Sequence, residues 1–487
     1  MKKEVRHNKT IYFSPQNLKW KNKYLGFVNQ KQIWIVFSKD LNKWYFEKQP
    51  VLSSRRGYFD SKKLNILDII SIKQGILLLY FINKPFCIGG AILSKKNPKK
   101  VLWRSAQPIF KSNKNIIPIN TKIKNNEIKI RIKYKNKNGV INFCLNNLIS
   151  NLFKKEFKII KLEKNNNNPI LSPDNKYCWE NKAIFNPAAI YLNNKIHFIY
   201  RAIGNSNIST FGYASSKDGI HIDKKSSKPV FSVRRSFEKK QKQVFSYASG
   251  GSWDGCEDPR LVSLGNKVYL IYTYFNGYFP PRIALTSIDK NKFLNKNWDW
   301  EKSVFLSPPG KINKNWVIFP EKINSKYAIL HSISPEILID YFDNLSFDGH
   351  TFINSFYSRG DRKNSWDNYV RGVGPPPIKT KDGWLVLYHA MEKKDPGRYK
   401  IGAMILDFNN PKNILYRSNF PILEPNETYE NNGIKPGVVY CCGAVVKDDT
   451  LFVYYGGSDM VSCVATANLN NFLESIKNSQ LPTLKIK

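Results

Sequence analysis

The chain has 487 residues, 42% of them hydrophobic and 14% aromatic, with 77 Lys and Arg against 37 Asp and Glu for a formal net charge of +40. This composition excludes a disordered chain, and the length exceeds what one small core organises, so at least two packed domains are expected. Lys, Asn and Ile fill loops and strands alike, as in KIKNNEIKIRIKYKNKNG. The charge therefore reads as a drift of the whole composition, and no nucleic-acid-binding motif concentrates it.

The opening segment, MKKEVRHNKTIYFSP, is basic but has no apolar run behind it, and no later stretch nears the ~20 apolar residues of a membrane span. A soluble cytoplasmic protein is expected. The seven cysteines (Cys87, Cys144, Cys178, Cys256, Cys441, Cys442 and Cys463) form no C-x-x-C pair, so reduced and mostly buried thiols are expected. The six histidines show no H-x-x-x-H spacing, and neither a metal nor another cofactor is expected.

In chain order, residues 1–165 read as a β-rich, blade-like, non-catalytic module ending in the polar run KLEKNNNN. YLGFVNQKQIWIVFSKD has the form of a strand pair. GYFDSKKLNILDIISIKQGILLLYF parallels GCEDPRLVSLGNKVYLIYTYF further on, which sets Asp60 against Asp258. Ser61 and Lys62 replace Pro259 and Arg260 in this copy, so no chemistry is expected there.

From residue 166 to 487 one unit recurs: a short strand, a tight polar turn, a Tyr-rich strand and a strand of small residues. Its copies are FNPAAIYLNNKIHFIYRAIG, EDPRLVSLGNKVYLIYTYF, IFPEKINSKYAILHSISPEI, PPPIKTKDGWLVLYHAM and YCCGAVVKDDTLFVYYGG. The turns Asn193-Asn194, Gly265-Asn266, Asn324-Ser325, Asp382-Gly383 and Asp448-Asp449 carry the hairpin signature. Only the tail NLNNFLESIKNS has a helical period. Five such copies predict an all-β fold, a five-bladed β-propeller, with a β-sandwich as the alternative.

In a propeller the inner strands converge, so polar residues at blade starts gather at one funnel. These are Asn186 and Arg201, then Glu257, Asp258 and Arg260, then Lys314 and His331, then Arg371, His389 and Tyr399, and lastly Asp459. Carboxylates, guanidiniums and aromatic rings together suit a sugar, and glycoside cleavage needs a carboxyl group to supply a proton. Asp258 before Pro259 is one candidate for that donor, and an Asp that caps a turn or pairs with Arg260 is the other reading of the same residues.

Taken in order, NPILSP, FNPAAIY with YRAIG, GCEDPRLV, IFPEKI, GVGPPPIKTKDGWLVLYHAM, PILEPNETYE and YYGGSDMVSCVATA resemble the β-mannoside phosphorylases of glycoside hydrolase family 130 over about two-thirds of the chain. The resemblance implies inverting phosphorolysis of β-mannosides to mannose 1-phosphate, with inorganic phosphate as co-substrate and an oligosaccharide as partner. Transfer to phosphate is expected ahead of hydrolysis or mannosyl transfer. The resemblance also implies Asp258 as proton donor, acting through a sugar hydroxyl, and Asn186, Arg201 and Asp459 as sugar-binding residues, with Glu257 counted among them. Lys314, Arg371, His389 and Tyr399 fall at phosphate-binding positions. Lys314 stands where the family carries Arg, and Ser332 stands where an Arg follows Leu-His. A glycan-binding propeller without catalysis is the alternative.

Overall fold

The structure is a computed structural model, and it describes residues 2–6, 9–13, 18–30, 32–55, 58–105, 108–124, 127–145, 148, 161–233, 252, 254–357, 365–478 and 483–486. Its described residues form an all-β fold with three short helices, the last of them Leu469–Asn478 in the segment with the helical period. The chain divides into two compact units, Met1–Lys158 with Asn478–Lys487, and Ile159–Lys477.

Five antiparallel meanders make up the second unit. The first comprises Ala183–Leu192, Lys195–Ile203 and Ile208–Ser216 with Lys224–Lys225. The second comprises Asp254–Leu264, Lys267–Phe275 and Arg282–Asp289 with Val304–Phe305. Val317–Ile318, Tyr327–Ser332 and Leu338–Phe342 form the third. Tyr369–Val373, Gly383–Met391, Lys400–Leu406 and Ile414–Arg417 form the fourth, in which Ile378–Thr380 also pairs. The fifth comprises Val439–Lys447, Thr450–Gly457 and Val461–Asn468, and its outer strand is Glu163–Lys164 from the beginning of the unit.

Turn chemistry fixes these hairpins. Asn193 and Asn194 have φ of 47° and 57°, and Asp448 and Asp449 have 48° and 57°. Two successive left-handed residues match the twist of the strands they join, and Asn and Asp tolerate that conformation. The middle strands are largely buried: all nine residues of Gly383–Met391 are. A strand covered on both faces needs no alternation of apolar and polar residues.

What covers each face is the neighbouring meander. One apolar cluster joins Ile199 and Phe211 to Leu270 and Tyr272, first to second. Others join second to third through Ile283 and Trp316, third to fourth through Phe319 and Tyr388, and fourth to fifth through Leu387 and Tyr455. The last joins fifth to first through Val464, Phe452 and Phe198, so the packing runs in a cycle although no single sheet closes.

Three meanders share a polar latch on the middle-strand Tyr. Tyr200 donates to Glu180 (2.8 Å), which also pairs with Lys225 (2.7 Å). Tyr388 donates to Asp367 (2.7 Å), paired with Arg417 (2.9 Å), and Tyr455 donates to Glu430 (2.9 Å), paired with Lys164 (2.5 Å). Each carboxylate is fully buried and meets both a hydroxyl donor and a cation from the outer strand, as burial of a charge requires.

The described residues of the first unit form three sheets. One is built on Lys23–Asn29 and Ile33–Ser38, one on Asn65–Ile72, Gly75–Ile82 and Phe86–Leu93, and one on Ile116–Lys124, Glu127–Tyr134 and Lys137–Cys144. Thr483–Ile486 pairs with Lys137–Cys144, so the end of the chain belongs to this unit, whereas Glu163–Lys164 belongs to the second. Backbone pairing thus assigns these two segments, each of which a division at residues 165 and 166 places in the other unit. In the middle sheet Tyr80 donates to Asp60 (2.7 Å), and Asp60 also pairs with Arg104 (2.7 Å) and Arg55 (3.0 Å). Asp60 therefore corresponds to Glu180, Asp367 and Glu430, which corrects its alignment with Asp258.

Candidate active site

Asp258 is placed by a break in register. Glu257 pairs with Thr273 and Arg260 with Ile271, which leaves Asp258 and Pro259 as a bulge. The first meander repeats the feature: Phe185 pairs with Arg201 and Ala188 with Ile199, leaving Asn186 and Pro187. Asn186 and Asp258 are left-handed, with φ of 50° and 51°. Bulges re-aim side chains beside active sites, and the following proline brings no N–H that the broken ladder would strand. Asn186 Nδ2 donates to Asp258 Oδ1 at 2.8 Å. Gly456 makes room for this arrangement, since a Cβ there would lie 2.1 Å from Asn186 Oδ1.

These two residues open onto a cavity of about 420 Å³ that draws on every meander or the loop leading into it. Arg201 and Asp459 line it with them, as do Lys314, Arg371 and Tyr399. Asn315, Tyr357, Lys435 and Tyr440 are further wall residues that the sequence reading missed. Asn315 directly follows the expected Lys314, whereas Tyr357 and Lys435 lie in loops that carry no repeat.

The wall is a charge network with little freedom. Arg201 donates to Asp258 (3.1 Å), Glu257 (3.1 Å), Ser209 (2.7 Å) and Ser252 (2.8 Å). Lys314 donates to Glu257 at 3.0 Å. Burial opposes ionisation of Asp258, but Arg201, Lys314 and Arg260 outweigh it and hold the carboxyl down at about 2. Arg260 fixes the turn itself, donating to the Asp258 carbonyl (2.7 Å) and to Asn315 Oδ1 (3.0 Å). Burial raises the Asp459 carboxyl above its usual range despite Lys435 and Arg201 nearby.

Cations dominate the side formed by the third to fifth meanders. Arg371 donates to Tyr357 (2.5 Å) and Tyr369 (3.2 Å), and its Nε is buried with no partner among the described residues. The Lys435 ammonium lies over the Tyr399 ring, 4.4 Å from its centroid. Ser332 turns away to donate to the Ser334 carbonyl (3.1 Å), beside a recess of only about 10 Å³ bordered by Lys314 and Arg371.

Two residues expected at the site stand behind it. Glu257 is fully buried under Arg201 and Lys314 and holds those cations in place. His389 stacks on Tyr440 with centroids 3.7 Å apart, and its Nε2 accepts from the Cys441 N–H at 3.0 Å. Burial, with Arg260 and Arg371 nearby, pushes its pKa down to about 3, so the ring is neutral and not a cation for an anion. Among the described residues no group of three or more His, Cys, Asp or Glu could hold a metal.

A polar cavity that sets two carboxylates against guanidiniums, ammoniums and aromatic rings, at the convergence of five β-meanders, defines an enzyme acting on glycosides. The profile of the glycoside hydrolase family 130 proteins, described as beta-1,4-mannooligosaccharide phosphorylase, matches residues 155–478, and the chain belongs to that family. It is 40% identical over 325 residues to the 1,2-beta-oligomannan phosphorylase of Thermoanaerobacter sp. (strain X514), which covers 64% of this chain and 99% of the relative. It is 35% identical over 316 residues to a beta-1,2-mannobiose phosphorylase of the same organism, covering 62% and 95%. The beta-1,2-mannobiose phosphorylase structure from Listeria innocua has the same fold, with TM-score 0.50 and 24% identity over 65% of this chain and 99% of that one.

Proposed function

We propose that the chain is an inverting phosphorylase of β-mannosides that releases mannose 1-phosphate, with the five meanders as blades of a propeller and the cavity at its hub. The cyclic packing of the meanders supports the propeller. The observation that carries the reaction is one cavity joining Asp258 to an excess of cations: Arg201, Lys314, Arg371 and Lys435 against Asp258 and Asp459.

In this reading Asn186, Arg201 and Asp459 hold the mannosyl ring, and Lys314, Arg371 and Lys435 hold phosphate, with Tyr399 beside them. A phosphate oxygen attacks the anomeric carbon opposite the glycosidic oxygen, and that C–O bond breaks. The leaving oxygen takes a proton from a mannosyl hydroxyl, which recovers one from Asp258. Phosphate arrives already charged, so no second carboxylate is needed to activate a nucleophile. The cations by themselves keep Asp258 ionised; phosphate beside Lys314 would offset that field and raise its pKa toward that of a working acid.

In this reading Lys435, which like Arg371 lies over the Tyr399 ring, makes up in charge for the arginine absent at position 332. No helix among the described residues is long and apolar enough to cross a membrane, and a phosphate-consuming enzyme suits the cytoplasmic location expected from the sequence. The test is a product assay on β-mannobiose with and without phosphate. Phosphate-dependent mannose 1-phosphate is expected, with Asp258→Asn lowering turnover about a thousandfold. Free mannose formed equally well without phosphate would overturn phosphorolysis in favour of hydrolysis, and an unchanged Asp258→Asn rate would remove Asp258 as the donor.

A further inference from the structure

The first unit has a cavity of its own, about 330 Å³, where its three sheets meet. That volume lies in the range of small-molecule sites, roughly 300–1,000 Å³. Its construction repeats that of the catalytic cavity. Ile66 pairs with Tyr80 and Asp68 with Leu79, which leaves Leu67 bulged, and Ile119 is bulged between Pro118 and Asn120. Both bulged residues line the cavity, as Asn186 and Asp258 line theirs.

The chemistry at these positions differs. Leu67 stands where the other cavity has its acid, no carboxylate is among the lining residues, and Phe81 adds a ring. Around this apolar floor stand Asn29, Asn65, Asn120 and Thr121, with Lys122 as the single charge. Asn29 Oδ1 and Thr121 Oγ1 are buried with no partner among the described residues, so the wall keeps unused hydrogen-bonding capacity. Amides and hydroxyls both donate and accept, as sugar hydroxyls do, and the rings of Tyr12 and Phe81 with the side chains of Ile66, Leu67 and Ile119 suit the C–H face of a pyranose.

We propose that this cavity is a non-catalytic binding site for a neutral oligosaccharide, and, resting on the function proposed above, that its ligand is the mannan chain the enzyme degrades. Reacting ends would occupy the other cavity while this one retains mannan chains.

The experiment is calorimetric titration of the full-length chain with β-linked mannotriose, using Asp459→Ala to weaken binding in the catalytic cavity. The Asp459→Ala chain is expected to keep one binding event. Adding Thr121→Val and Asn120→Ala should weaken that event at least tenfold, whereas Lys122→Gln should leave it within twofold. Thr121→Val with Asn120→Ala in the otherwise unaltered chain should turn over mannobiose at the parental rate, which also shows that the variant is folded. No binding to the Asp459→Ala chain at millimolar mannotriose, or binding indifferent to the Thr121 and Asn120 changes, overturns the proposal. Loss through Lys122→Gln alone overturns neutral-sugar recognition in favour of an anion. Binding without any turnover would instead count against the proposed reaction and leave this site standing.

Discussion

At the scale of single residues, the site contains a conflict between two carboxyl groups. Asp258 is pulled down to about 2 by three cations, while Asp459 is pushed up by burial. An acid that is already ionised donates nothing, so the role proposed for Asp258 depends on phosphate changing its surroundings. In the full-length chain with carboxyl-labelled Asp, the Asp258 titration midpoint should rise by at least one unit when phosphate is added. A midpoint that stays in place would separate phosphate binding from proton donation. Lys435 supplies a second check. Lys435→Met should raise the KM for phosphate about tenfold, a loss of about 1.4 kcal/mol, and leave the KM for mannobiose within twofold. Equal effects on both would place Lys435 at the sugar instead.

Asp258 and Asn186 were legible as residues because each precedes proline in the same place in its repeat. Their partnership was not, since the 2.8 Å bond between them spans 72 positions. His389 shows the opposite failure. A strand histidine such as His389, between Tyr388 and Ala390, fits either a ligand or a core group, and its stacking on Tyr440 favours the second.

At the scale of elements, the strand–turn–strand cassettes were visible because left-handed turn residues and apolar runs are local signals. The latch beneath them was not. Its carboxylate precedes the inner strand by a variable distance, and its cation can come from far away, as Lys164 does for Glu430. Asp60 was aligned with Asp258 for this reason: both lie near the start of an inner strand, whereas the Tyr80 and Arg104 partners of Asp60 make it a latch. Breaking a buried charged network by removing one partner costs about 3–5 kcal/mol. Asp367→Ala should therefore destabilise the second unit by that order, measured by chemical denaturation. A loss below about 1 kcal/mol would show that the latch is dispensable.

At the scale of the whole molecule, pH ties the buried groups to stability. His389 has its folded pKa lowered to about 3 from 6.5, so the unfolded chain binds the extra proton between those values. Stability is therefore full above pH 6.5 and falls as the pH drops toward 3. Asp459, with its pKa raised by burial, works in the opposite sense, its burial cost being relieved as the pH falls. Between pH 6.5 and 5 the histidine contribution amounts to about 2 kcal/mol. His389→Asn keeps an acceptor for the Cys441 N–H and should remove most of that pH dependence in denaturation measured at the two pH values. An unchanged slope would assign the effect to other groups.

Composition, turn residues and repeat spacing determined that this is an all-β protein of repeated hairpins, and the ordered motifs determined its family. These are short-range properties, written in the residues that adopt them. Tertiary structure decided which polar groups share a wall, that Glu257 and His389 stand behind it, and that Lys435 stands in it. It also decided that the first unit forms a cavity from the same bulged position. Such facts follow from strands packing side by side, and that packing joins residues whose separation along the chain leaves no mark in the sequence.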